Sequence, residues 1–143
     1  MRILLDEHGM GWDEAWEVVT HTFAYTNHTV LAEALEKWEM QIFDRLFPRI
    51  SEIVREIDRR FREDMNKRGL DGQTIEYMAP VSGNQVRMAW IACYASYSIN
   101  GVAALHTEII KRETLKEWHA IWPQRFNNKT CLLYTSPSPR DRG

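Results

Sequence analysis

Pro48-Arg49-Ile50-Ser51-Glu52-Ile53-Val54-Arg55-Glu56-Ile57-Asp58-Arg59-Arg60-Phe61 is the stretch on which the fold class turns. Its apolar residues Ile50, Ile53, Ile57 and Phe61 recur at helical spacing, so one stripe of the helix faces a core. A proline at the head suits the first helical turn, where a missing N–H costs nothing. The opposite face carries Arg49, Glu52, Arg55, Glu56, Arg59, Arg60 and Arg62, with Glu56 and Arg60 at the favourable i,i+4 spacing. Two uses of that face are open: a solvated, ion-paired surface, or a contact for a polyanion or glycan.

Immediately upstream, Ile42, Leu46 and Phe47 form another stripe, so two consecutive helices are expected to meet at Pro48. Trp12-Asp13-Glu14-Ala15-Trp16-Glu17 places carboxylates in a first helical turn and starts a stripe of Trp12, Ala15, Trp16, Val19 and Phe23. Residues 1–8 read as the last turns of a helix closed by Gly9, with no cap before Met1, the look of a cut start. Tyr25 to Thr29 is expected to be a short extended segment or loop. Downstream, Gly69 and Gly72 bracket a turn and Gln73 to Met78 suggests a short strand. Val86 to Ser98 is apolar nearly all round and rich in small residues, which predicts a central, buried helix broken by Asn100-Gly101. Val102 to Lys111 resumes as a helix with Leu105 and Ile109 on one side. Leu115 to Trp122 closes at Pro123, and Arg125 to Thr130 reads as an exit loop or strand. The expected fold class is mainly α, with one or two short strands. Residues 131–143 lack periodicity and alternate Ser with Pro, so a disordered, foreign or adaptor-derived tail is expected there.

Eighteen basic residues face twenty acidic ones, a net charge of -2, so no basic field exists to attract nucleic acid or anionic membrane. Cys93 and Cys131 do not make the framework of a small secreted scaffold, and Met1 to His8 meets acid at once, so a cytoplasmic protein is expected. His8, His21, His28, His106 and His119 are scattered, with no HExxH or CxxC, and no metal site is expected. Glycine-rich phosphate loops and a nucleophile elbow are absent from the sequence. Asn27-His28-Thr29 and Asn128-Lys129-Thr130 match the glycosylation pattern but read better as local polar structure. Trp12, Trp16 and Trp90 lie on helical stripes and belong to a core, whereas Trp38, Trp118 and Trp122 fit either a core or a sugar-stacking surface.

One string goes further. Thr22-Phe23-Ala24-Tyr25-Thr26-Asn27-His28-Thr29-Val30-Leu31, followed by Glu33-Ala34-Leu35-Glu36-Lys37-Trp38, closely resembles the segment that carries an active-site histidine in the glycogen and maltodextrin phosphorylases. Matches continue in the family's order: Trp12 to Glu17 before it, Leu46-Phe47-Pro48-Arg49 and Ile57 to Phe61 after it, then Ser98-Ile99-Asn100-Gly101-Val102-Ala103-Ala104-Leu105-His106-Thr107-Glu108-Ile109, and Phe126-Asn127-Asn128-Lys129-Thr130. The resemblance covers residues 1–130 without a gap.

Such membership implies an irregular helical fragment of the N-terminal domain of a larger α/β enzyme of the glycosyltransferase-B type. It implies transfer of a terminal glucosyl unit from an α-1,4-glucan to inorganic phosphate, releasing glucose 1-phosphate, in a cytoplasmic homodimer. His28 is then the catalytic residue. Its main-chain oxygen would stabilise positive charge at the anomeric carbon while its imidazole binds the sugar's 6-hydroxyl. Thr29 would line the same pocket and Val102 would pack near C6. Pyridoxal 5'-phosphate would be bound by the C-terminal domain, outside this stretch, together with the lysine that carries it. Ala32 and Glu39 depart from the family's prolines, and Cys131 from an asparagine that also binds the 6-hydroxyl. The alternative from a different class is a non-catalytic helical module that binds a glycan or protein through Arg49 to Arg62. As an isolated piece the chain is expected to be inactive, marginally stable and prone to self-association.

Overall fold

The computed structural model describes residues 1–130, so the expected tail lies outside the described residues. A π-type turn at Ile3–Glu7 leads to α1 (Trp12–Thr22), with Gly9 at φ +63° closing the turn as expected. Next come β1 (Ala24–Thr26), a short turn at Ala32–Ala34, β2 (Lys37–Glu39), α2 (Met40–Leu46) and α3 (Pro48–Lys67). Then follow α4 (Gly72–Met78), β3 (Val81–Ser82), β4 (Gln85–Arg87), α5 (Met88–Ala95) and β5 (Ser98–Gly101). The order closes with α6 (Ala104–Ile109), a π-type turn at Ile110–Thr114, α7 (Lys116–Ile121) and β6 (Phe126–Asn128).

The chain is mainly helical, as its periodicities imply, and α2 and α3 meet at Pro48. The extended part comprises two three-stranded sheets, more than the one or two strands expected. The first runs β1-β5-β6 with every pairing parallel; the second runs β2-β4-β3, antiparallel. Gly83 and Asn84, at φ +55° and +61°, make the tight β3–β4 hairpin.

Gln73–Met78 is not a strand. Asp71 caps it as a helix, accepting from Thr74 N at 3.0 Å and Thr74 Oγ1 at 2.6 Å, and Ile75 and Met78 bury at helical spacing. The single helix expected over Val86–Ser98 divides into β4, α5 and β5. Short apolar runs do not separate a buried strand from a buried helix, and here the Tyr97 N–H donates to Phe23 O at 3.0 Å, drawing the chain into the parallel sheet. Asn100-Gly101 therefore ends a strand. The following helix is shorter than expected, and its π-type continuation buries Ile110 while Leu105 stays exposed.

Phe61 from α3, Trp90 and Tyr94 from α5, and Trp118 and Trp122 around α7 fuse into one aromatic core. Trp118, fully buried, sits 5.6 Å from both Phe61 and Trp122, measured between ring centroids. Trp118 and Trp122 are thus core residues, whereas Trp38 is exposed on β2. This core carries the helices that pack on the parallel sheet: α5 against β1, and α6 against β5 and β6.

The arginine face of α3 is already occupied. Arg49 pairs with Asp6 and Glu52, Arg55 with Asp44, Arg59 with Glu56 and Glu63, Arg60 with Glu56 and Asp13, and Arg62 with Asp58 and Glu76. Hydrogen bonds from Arg59 and Arg60 hold Glu56 down at about 2, and those from Arg62 and Ser82 do the same for Glu76. Both carboxylates titrate below their ordinary 4.5, so their contribution is full above that value and is lost as pH falls towards about 2. We expect the urea midpoint to fall across this acid range, and Glu76→Gln to flatten part of the fall. An unchanged pH profile in the variant contradicts the assignment.

Candidate active site

Parallel pairing puts the carboxyl ends of β1, β5 and β6 on one edge of the sheet. Thr26 lies opposite Asn100, and Asn100 opposite Asn127, so the chain leaves all three strands at the same level. In open sheets with helical crossovers, ligands collect outside the carboxyl ends of parallel strands. Here that edge bears Asn27-His28-Thr29 after β1, Val102-Ala103 after β5 and Lys129-Thr130 after β6. His28 and Thr29 after β1, and Val102 far along the sequence after β5, therefore follow adjacent strands.

The β1 loop is built around Asn27, which is buried. Its N–H extends the ladder by donating to Asn100 O at 2.9 Å. The side-chain Oδ1 accepts from Thr29 N at 2.9 Å, closing an Asx turn over His28, and its Nδ2 donates to the Tyr25 hydroxyl at 3.2 Å. Burial pushes the Tyr25 hydroxyl above its ordinary pKa, so it stays a neutral partner. Thr114 Oγ1 donates to Val30 O at 3.0 Å and ties down the far side of the loop. His28 itself is exposed, and among the described residues no hydrogen bond engages its carbonyl or its imidazole. A fixed loop thus presents one free acceptor oxygen and one free ring.

Both glycosylation-like triplets are local polar structure. Asn27 is sealed in its turn, and Asn128 Nδ2 donates to Thr130 Oγ1 at 3.1 Å.

The β5 end is held as tightly. Gly101 O accepts from Lys129 N at 3.0 Å and from Asn100 Nδ2 at 3.1 Å, while Ala103 O accepts from both Thr107 N and Thr107 Oγ1 at 2.8 Å. A Cβ on Gly101 would fall 2.9 Å from Thr107 Cα and 3.0 Å from Thr107 N, backbone atoms that cannot swing aside. Glycine is what lets α6 close onto β5. Half-buried Val102 lies between these clamps.

His28, Thr29 and Val102, expected from resemblance, lie in the loops after β1 and β5, and sequence reasoning missed Asn27, Thr107 and Thr114 as the residues that hold those loops. The Asn-x-Thr spacing, typical of an Asx turn, was the available signal. A separate cleft of about 420 Å³ lies against Trp12, Trp16, Tyr94 and the paired charges Arg59, Arg60, Glu63 and Lys67. Its lining shares no residue with the strand ends. Among the described residues no group of three or more His, Cys, Asp or Glu could hold a metal, and no helix is long and apolar enough to cross a membrane.

The carbohydrate phosphorylase family model matches residues 1–133. The chain is 49% identical over 131 residues to glycogen phosphorylase of Bacillus subtilis and 48% over 136 residues to the alpha-glucan phosphorylase H isozyme of Triticum aestivum. It is 42% identical over 135 residues to glycogen phosphorylase of Saccharomyces cerevisiae. The first two alignments cover 91% of the chain and 16% of the relative, the third 90% and 15%. The chain therefore spans about one sixth of the length of the curated relatives it matches.

Two substitutions test the geometry of this edge. Gly101→Ala should lower stability by about 1–3 kcal/mol, the usual range for overpacking, in urea titrations; an unchanged midpoint contradicts the close approach. Asn27→Ala should cost about 1–3 kcal/mol by stripping partners from buried groups, and it should speed hydrogen exchange at the Thr29 amide. Unchanged Thr29 exchange contradicts the Asx turn.

Proposed function

The chain belongs to the carbohydrate phosphorylase family, and from that membership we propose that it forms one wall of the glucosyl pocket of an α-1,4-glucan phosphorylase. In this reading residues 1–130 are part of the N-terminal domain of a longer cytoplasmic, homodimeric enzyme. That enzyme transfers the terminal glucosyl unit of glycogen or maltodextrin to inorganic phosphate and releases glucose 1-phosphate. The observation that carries the reading is the shared carboxyl edge of the parallel sheet, from which His28, Thr29 and Val102 emerge together.

The chemistry asked of these residues is modest and specific. Cleavage of the glycosidic bond develops positive charge on the ring and its anomeric carbon. The His28 carbonyl, free of partners among the described residues, can direct a lone pair at that charge. Because the Asx turn fixes the loop beforehand, little reorganisation is needed as the charge appears. The imidazole of His28 takes the sugar's 6-hydroxyl, with Thr29 beside it and the aliphatic Val102 against C6. The wild-type loop accommodates Ala32 in place of the family's proline as the start of a short 3-10 turn.

Pyridoxal phosphate would supply, through its phosphate group, the acid/base partner for inorganic phosphate. The described residues do not fit that cofactor: none of the lysines is buried, and Lys67 and Lys111 are tied to Glu63 and Glu108. No step is therefore derived through it, and its site belongs to other polypeptide. The rival reading, a module that binds through the arginines of α3, has less support because those arginines already have carboxylate partners.

Two measurements test the proposal. The chain incubated with pyridoxal phosphate, maltodextrin and phosphate should give no glucose 1-phosphate; product above blank overturns its incompleteness as an active site. A glucose titration of the isotope-labelled chain should shift the amide signals of His28, Thr29 and Val102, and His28→Ala should abolish that response. Shifts confined to the arginine face of α3 overturn the pocket reading.

A further inference from the structure

The chain leaving β5 is held at three backbone groups, two of which, Gly101 C=O and Val102 N–H, are opposite ends of one peptide unit. Gly101 and Ala103 are held through their carbonyl oxygens, by Lys129 and Asn100 in one case and by Thr107 in the other. Val102 is held through its N–H, which donates to Nδ1 of His106 at 3.1 Å. His106 stands three residues past Ala103, the N-cap of α6, and reaches back over the helix start. Its position is that of the glutamate in a capping box, with imidazole as the acceptor and the bond placed one residue earlier. The Val102 N–H lies just before the N-cap, so the bond anchors the chain entering α6 and does not pair the first N–H groups of the helix itself.

The bond dictates the state of the ring. An Nδ1 that accepts from a backbone N–H carries no proton, so a neutral imidazole must carry its proton on Nε2. That Nε2 atom is buried and has no hydrogen-bond partner among the described residues. The ring is therefore committed on one side and enclosed on the other, the geometry of a fixed strut.

We propose that His106, as the Nε2-protonated tautomer, is a positioning residue that fixes the Val102 backbone at the carboxyl edge of β5 through its Nδ1 acceptor. The importance of Val102 to a sugar rests on the pocket reading above; the strut itself does not. Since Gly101 O and Ala103 O keep their partners when the ring is removed, loss of His106 releases only the N–H side of the Gly101–Val102 peptide, whose carbonyl stays clamped.

The test uses the whole chain, labelled with nitrogen-15, and needs no sugar, so its failure is separable from failure of the pocket reading. In the unsubstituted protein His106 Nδ1 should give the shift of a proton-free ring nitrogen and Nε2 that of a protonated one. In His106→Leu, hydrogen-exchange protection of the Val102 amide should fall about fivefold, the scale of one lost hydrogen bond, while Ile57 and Phe61 amides in α3 keep theirs. His106→Asn should restore protection, because its Oδ1 stands where Nδ1 stood, and His106→Gln should not. A proton found on Nδ1, or Val102 protection unchanged in His106→Leu, overturns the proposal. Equal protection in the Asn and Gln variants also overturns it, since a merely space-filling ring has no preference between them.

Discussion

Parallel pairing of β1, β5 and β6 is the constraint on which the rest depends. Antiparallel strands would send successive loops to opposite edges; parallel ones send them all to one. The cost is long connections: β5 is reached from β1 only after α2 to α5 and a second sheet have been traversed. Nearly every helix described here belongs to a crossover that returns the chain to the start of the next strand. The aromatic core around Trp118 holds those crossovers together, so the stability of the helical layer and the placement of the strand ends are one problem.

At the edge, rigidity comes from polar groups. Asn27, Asn100 and Thr107 are all buried, and all satisfy backbone groups of the loops beside them. In a low-dielectric setting such partners are expensive to lose, which makes them good fixings for a loop that must not move. The half-buried Val102 is tied into this framework by its N–H, whereas the exposed His28 is presented by it, and its carbonyl has no partner among the described residues.

Much of this was legible in the sequence, and for identifiable reasons. α3 announced itself because the spacing of Ile50, Ile53, Ile57 and Phe61 behind a leading proline fits little else, and the helix runs on from there to Lys67. Resemblance of the string around His28 pointed to His28, Thr29 and Val102, which periodicity could not single out. What stayed hidden was short or non-local. β5 is four residues long and largely buried, so it reads like a continuation of α5; only its pairing with β1, more than seventy residues earlier, and with β6 makes it a strand. α4 hides because Thr74 and Ile75 favour strands, and only the Asp71 cap on Thr74 marks the segment as a helix start. The contact of Gly101 with Thr107 is set by how α6 docks, which no local pattern records.

The account stands or falls on what meets the carbonyl of His28. The most direct measurement is a structure of a polypeptide of the relatives' full length that contains this sequence, with a glucan and phosphate bound. The predicted result has the terminal glucosyl ring at the common edge of β1, β5 and β6, its anomeric carbon facing the His28 oxygen and its 6-hydroxyl on the imidazole. A ring bound elsewhere, with the His28 oxygen donated to by the protein's own backbone, would contradict the account.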